Sequence, residues 1–227
     1  MKQPIILIIS FFLLLFLSAK SQTEQANFRL QFVPMFGDSI ATTNGIVSAG
    51  NNNYHLSKCR FYLSNFQFFD ANQKLLSTES KAYLLDIEDL QSLHIITTKP
   101  KNATYITFGV GIDSITNVSG AMGGALDPTK GMYWSWQSGY INIKLEGNFS
   151  SPHIKKFEYH LGGYAGEHAC YNTSAFIPIS DTVNIGVSLS EFLNQAEAQE
   201  TYKIMSPSAT AAQLSKAFAA LFQPLNL

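Results

Sequence analysis

The chain has 227 residues, 46% of them hydrophobic, 13% aromatic and 14% charged. That balance is globular, too apolar and too lightly charged for disorder. A net charge of −1 leaves no basic field for nucleic acid, and the length fits a single domain with a large core.

The first predicted element is a leader. "MKQPIILIISFFLLLFLSAKSQ" places Lys2 before an apolar run from Ile5 to Leu17, followed by the small residues Ala19 and Ser21. This is the layout of a secretory signal, residues 1–21, cut before Gln22. The run is short for a membrane span, and none like it recurs. Residues 22–227 are therefore expected to form one exported domain, periplasmic or extracellular, with no membrane span in the mature chain.

Short runs of period-two alternation follow. In "NFRLQFVPMF", Phe28, Leu30 and Phe32 share one face. "RFYLSNFQFFD", "KAYLLDIED" and "TYITFGVGID" read as further strands. "YWSWQSGYINIKLEG" is long enough for two strands or one bent one, and "IKKFEYHLGGY", "SAFIPIS" and "TVNIGVSLS" complete the series. Gly, Asn, Asp, Pro and Ser punctuate the runs as turns require. The prediction is a mostly β, sandwich-like domain. One or two short helices are expected near the C-terminus. "SLSEFLNQAEAQE" starts at Ser188 or Ser190, and "SATAAQLSKAFAALFQ" carries Leu214, Phe218, Leu221 and Phe222 at helical spacing. Residues 113–130 form the longest loop-like segment, a common home of function.

Enzyme signatures are missing. There is no G-x-S-x-G elbow, phosphate loop, H-E-x-x-H or C-x-x-C, so a binding protein without turnover is expected. "GVGID" is not expected to open a helix, which speaks against a dinucleotide fingerprint. "DIED" at 86–89 reads as a solvated strand end or turn rather than a calcium site. Cys59 and Cys170 can form a disulfide in an exporting compartment, or stand as free thiols or soft metal ligands.

Five histidines are present. His94 and His153 sit in polar surroundings and read as surface residues. His160 alternates with Glu158 in "FEYHLGGY", opposite Phe157 and Tyr159. It suits a hydrogen-bonded structural histidine or a metal ligand. His168 follows across a Gly-rich turn, so a hairpin can pair the two, although His168 and His55 taken singly read as exposed. Both tryptophans, Trp134 and Trp136, lie in "GMYWSWQSGY". On an extended strand Met132, Trp134 and Trp136 share one face. That face suits an aromatic core stripe. It also suits an oxidisable wall beside a copper site, since thioether and imidazole groups favour that metal. A third use is an exposed aromatic platform for carbohydrate binding or adhesion.

The run "GIDSITNVSGAMGGALDPTKGMYWSWQSGYINIKLEG", followed by "FEYHLGGY", resembles the MbnP-like family of exported copper-binding proteins. "RFYLSNFQFFD" and "YLLDIED" are similar to that family's pattern as well, and the likeness spans roughly residues 27–225. The resemblance implies a mostly β domain that binds copper, as Cu+ or Cu2+, and takes it up, stores it or hands it to copper transport proteins. It also implies oxidation of a tryptophan of the M-x-W-x-W segment to kynurenine by a partner resembling diheme cytochrome c peroxidases. Carried over by position, Met132, Trp134 and Trp136 match the segment, and His160 matches the histidine of "HLG". His55 and His168 are candidates for a second ligand by composition.

Overall fold

In the computed structural model, residues 24–43, 46–49, 52–137, 139–149 and 156–225 are described. The leader at 1–21 and His153 lie outside them. In chain order the first strands are β1 (Gln25–Phe36), β2 (Ser39–Ile40), β3 (Ile46–Ala49), β4 (Asn52–Phe69), β5 (Leu75–Glu79), β6 (Tyr83–Asp86), β7 (His94–Pro100) and β8 (Tyr105–Val110). Helix α1 (Ser114–Val118) precedes β9 (Tyr133–Trp134), β10 (Gly139–Phe149), β11 (Phe157–Gly162), β12 (Asn172–Thr173), β13 (Ile177–Pro178) and β14 (Thr182–Ser188). Helix α2 (Leu189–Glu197), β15 (Lys203–Ile204), helix α3 (Ala209–Ala219) and β16 (Phe222–Leu225) close the fold.

Two sheets enclose the main core, as the alternating pattern predicts. The smaller runs β16-β14-β1-β2, with β7 also on β1; the larger runs β12-β8-β4-β10-β11-β15. The long strand β4 is the spine of the larger sheet, because β3, β5, β6, β8 and β10 all bond to it. Phe28, Leu30 and Phe32 of β1 face Phe61, Leu63 and Phe108 across the core. Edge-on aromatic pairs lock that contact, Phe28–Phe68 at 5.7 Å and Phe32–Phe108 at 5.6 Å between ring centroids, and Phe61–Phe218 at 5.5 Å ties α3 to β4. Helices α2 and α3 form where the pattern predicts. Ser188 caps α2 by accepting from the Glu191 amide, and Ser208 caps α3 by accepting from the Ala211 amide.

The structure decides two alternatives left open by the sequence, overturns one expectation and adds one strand. Cys59 and Cys170 are free thiols, both buried. Cys59 stands opposite Leu145 in the β4–β10 ladder and Cys170 is on the connection after β11. Burial raises the Cys59 thiol far above its usual range and pushes Cys170 up to about 11, so both behave as small apolar side chains. "GVGID" does lead into a helix, the short α1, because Asp113 accepts from the Thr116 amide and caps it. The strand "HIITTKP" (β7) has no clear alternation to mark it, since a buried Ile95 is followed by an exposed Ile96. The tryptophan segment takes the two-strand alternative, a hairpin of β9 and β10, as described next.

Candidate functional site

The larger sheet has an outer face, turned away from the main core, and the segment 111–134 is laid over part of it. Asp127 begins the cover: its carboxylate accepts from the Thr129 amide at 2.9 Å, and Pro128 starts a single 3-10 turn. This is the physical content of "LDP". The turn ends at Gly131, whose φ of +70° suits glycine. Two cations of the sheet hold that end down. Arg60 donates to the Lys130 carbonyl at 3.1 Å and Lys144 to the Gly131 carbonyl at 3.3 Å. Further back, Tyr62 donates to the Ala125 carbonyl and Tyr140 to that of Leu126. The buried side chain of Asn117 accepts from the Tyr140 amide and donates to the Ile112 carbonyl.

Under this cover lies a second, smaller apolar cluster of Tyr62, Ile112, Leu126, Met132, Trp134, Tyr140 and Ile141. Met132 is wholly buried and Trp134 is 6% exposed. Trp134 pairs with Gly139 across the β9–β10 hairpin, and the Gln137 amide donates back to the Trp134 carbonyl at 3.3 Å. The chain therefore turns after Trp134, which puts Trp136 on the turn with 65% of its surface exposed. Met132 and Trp134 share a buried face as alternation predicts, whereas Trp136 leaves it. The two indoles still touch, with centroids 5.8 Å apart and planes at 45°. A two-ring surface platform for a sugar is not formed, because one of the rings is covered.

Trp134 rests on β11. A Cβ built on Gly162 would come within 2.7 Å of its six-membered ring and 2.6 Å of the Tyr140 carbonyl. Gly162 is thus the floor that lets the indole lie against the sheet. His160, two positions earlier on β11, takes the same outer face, while Phe157 and Tyr159 point into the main core. His160 is 6% exposed, and its Nε2 lies 2.7 Å from Glu146 Oε1 of β10. Lys144, directly across the ladder, is 3.6 Å from the same carboxylate oxygen.

The ionisation of this pair follows from its surroundings. Burial pulls His160 below its ordinary value, and the Glu146 hydrogen bond offsets only part of that. For Glu146, burial acts upward, but the His160 hydrogen bond and the charges of Lys144 and Lys58 outweigh it and hold the acid below the usual carboxylate range. At neutral pH His160 is neutral and Glu146 ionised. An ionised carboxylate only accepts, so Nε2 carries the proton and Nδ1 keeps its lone pair. A carboxylate fixing the far nitrogen of an imidazole is the usual support of a metal-ligating histidine. The donor chemistry here fits a soft or borderline metal such as copper.

Trp134 also lines a cavity of about 140 Å³, together with Gln137, Tyr164, His168 and Pro207 among others. His168 sits on the turn Gly166–His168, roughly half exposed, 3.6 Å from Glu167. Trp134 thus lines the cavity that His168 also lines and rests on the strand that carries His160. His55 is elsewhere. It is exposed and stands opposite Asn148, at the far end of β10 from Gly139, about 30 Å along the strand. His94 is exposed at the start of β7. Among the described residues, no three His, Cys, Asp or Glu side chains gather into a metal-holding group.

Sequence reasoning missed Glu146, Lys144, Gly162 and the cavity. The alternation of "IKLEG" puts Lys144 and Glu146 on one face, but only the register Lys144↔His160 brings that face to the histidine. "DIED" is a turn, as expected: Asp86 accepts from the Glu88 amide at 3.0 Å and is paired with Arg60 at 2.6 Å.

Fold and site together define a two-sheet β domain whose outer face carries a covered tryptophan beside a carboxylate-fixed imidazole. The family model described as MbnP matches residues 25–206, and the chain belongs to that family. Its structure is similar to that of MbnP from Methylosinus trichosporium, with a TM-score of 0.57 and 15% identity over 75% of this chain and 78% of that one. At that identity the likeness speaks for the fold. No curated protein matches the chain. No helix among the described residues is long and apolar enough to cross a membrane.

Proposed function

We propose that this chain is an exported copper-binding protein that takes up, stores or hands over the metal without turnover of its own. Membership of the MbnP family fits a methanobactin-related, copper-associated role. The observation that carries the reading to residues is the buried His160, held through Nε2 by Glu146 and set on the same sheet face as the indole of Trp134. In this reading Nδ1 of His160 is a copper donor. His168, on the cavity that Trp134 lines, is the stronger candidate of the two further histidines, since His55 is remote. The indole lines the His168 cavity and rests on the strand of His160, and it is the residue whose oxidation to kynurenine, by a diheme peroxidase-like partner, would condition the site. Copper transport proteins are the expected recipients, and the periplasm or the exterior the place.

Anaerobic copper titration of the wild type against His160→Ala, His168→Ala and His55→Ala tests the reading. One tight equivalent, lost in His160→Ala, weakened in His168→Ala and kept in His55→Ala, is the expected result. Equal and merely nonspecific binding by all four proteins would overturn it. Peptide mass mapping of protein co-produced with the diheme partner tests the kynurenine step separately.

A further inference from the structure

We propose that the two tryptophans form a relay, with Trp136 as the electron-transfer port at the surface and Trp134 as its inner partner. The roles follow from placement. The chain has only these two indoles, and their rings lie 5.8 Å apart between centroids, with the inner ring 6% and the outer 65% exposed. Trp136 stands on a turn with most of its indole in solvent and, among the described residues, only Trp134 as a ring partner, so packing accounts for little of its size. Electron transfer falls steeply with distance. An external one-electron oxidant too large for a cavity of about 140 Å³ therefore meets Trp136 first, and reaches Trp134 through ring contact.

The step balances as follows. Trp136 gives one electron to a protein-borne, high-potential one-electron oxidant, and its indole N–H proton leaves to water. Trp134 then gives one electron to the Trp136 radical, which regains a proton from water and is restored. Trp134 loses its own N–H proton into the cavity that it lines together with Gln137. The net change is one electron to the oxidant, one proton to solvent and a neutral radical at Trp134. Loss of that proton is what lets the oxidising equivalent settle inside, since a cation would be favoured at the solvated outer ring.

This deepens the reading of Trp134 as the conditioned wall, and it is tested without copper, so its failure and that of the copper reading are separable. The metal-free mature chain is oxidised by photogenerated ruthenium tris-bipyridine in its trivalent state, and peptide mapping measures oxygen uptake at each tryptophan. In the wild type Trp134 is modified. In Trp136→Phe, whose ring does not give up an electron to this oxidant, modification of Trp134 falls by an order of magnitude or more. In Trp136→Tyr, whose phenol is oxidisable, most of it returns. Unchanged modification of Trp134 in Trp136→Phe overturns the relay, as does a wild type modified at Trp136 alone. Trp136 is exposed, so both variants are expected to fold; matching circular dichroism and melting temperatures verify this.

Discussion

His160 Nε2 lies 2.7 Å from Glu146 Oε1, and the two residues come from adjacent antiparallel strands, diagonal to each other in the ladder. The contact decides the tautomer of the imidazole. In the copper-binding reading, Glu146→Ala keeps the ligand but frees its orientation. Copper affinity is expected to fall by about 10–100-fold, the usual cost of losing such a support. Competition titration with a chromophoric Cu+ chelator measures it, and an unchanged affinity would show that Glu146 does not position the donor.

Acid should weaken the fold through the same pair. His160 is held below its ordinary value of about 6.5, so between that value and its folded one the unfolded chain binds a proton that the native chain does not. The stabilisation is complete above the unfolded value and is lost as pH falls through the folded one. Glu146, also held low, adds a second loss at still lower pH. Urea midpoints measured from neutral to about pH 5 should decline. In His160→Gln the first part of the decline should flatten, and a slope identical to wild type would count against the assignment.

Gly162→Ala should disturb the wall directly. Its Cβ would sit 2.7 Å from the Trp134 ring and 2.6 Å from the Tyr140 carbonyl, and the carbonyl is backbone. The expected cost is about 1–3 kcal/mol of stability. Because Trp134 must lift from the sheet, its fluorescence should move towards that of a solvated indole. Trp136→Phe removes the other emitter and lets this be read cleanly.

The two tryptophans should differ in what they contribute to stability. Trp134→Ala empties a buried site and is expected to cost about 3–5 kcal/mol. Trp136→Ala removes an exposed ring whose aromatic partner is Trp134 and should cost only about 0.5–1.5 kcal/mol. Met132→Ala, in the same buried cluster as Trp134, should cost about 2–5 kcal/mol. Chemical denaturation of the three variants gives the comparison. A Trp136→Ala loss as large as that of Trp134→Ala would mean that the outer ring is packed.

Cys59 and Cys170 should resist alkylation in the native protein. Both are buried with raised thiol values, and the thiolate is the reactive form. Labelling is expected only after denaturant is added, and prompt labelling of either thiol in native buffer would contradict the burial.

The sequence by itself determined the class of the fold, because alternation in runs such as "NFRLQFVPMF" and helical spacing with serine caps at 188 and 208 are local signals, and local physics enforces them. It determined the family too, through ordered motifs that span the domain. It also put Met132 and Trp134 on one face and His160 opposite Phe157 and Tyr159. Only the tertiary structure decided the rest. Trp136 leaves its partners because the hairpin closes between Trp134 and Gly139, and a turn in a run of aromatic residues has no strong local mark. Glu146 reaches His160 because of the strand register, and Gly162 matters because an indole from another segment lies on it. The unbridged cysteines and the remoteness of His55 are likewise facts of pairing between distant strands. Such contacts depend on which faces meet, and the residue pattern within one strand does not specify that.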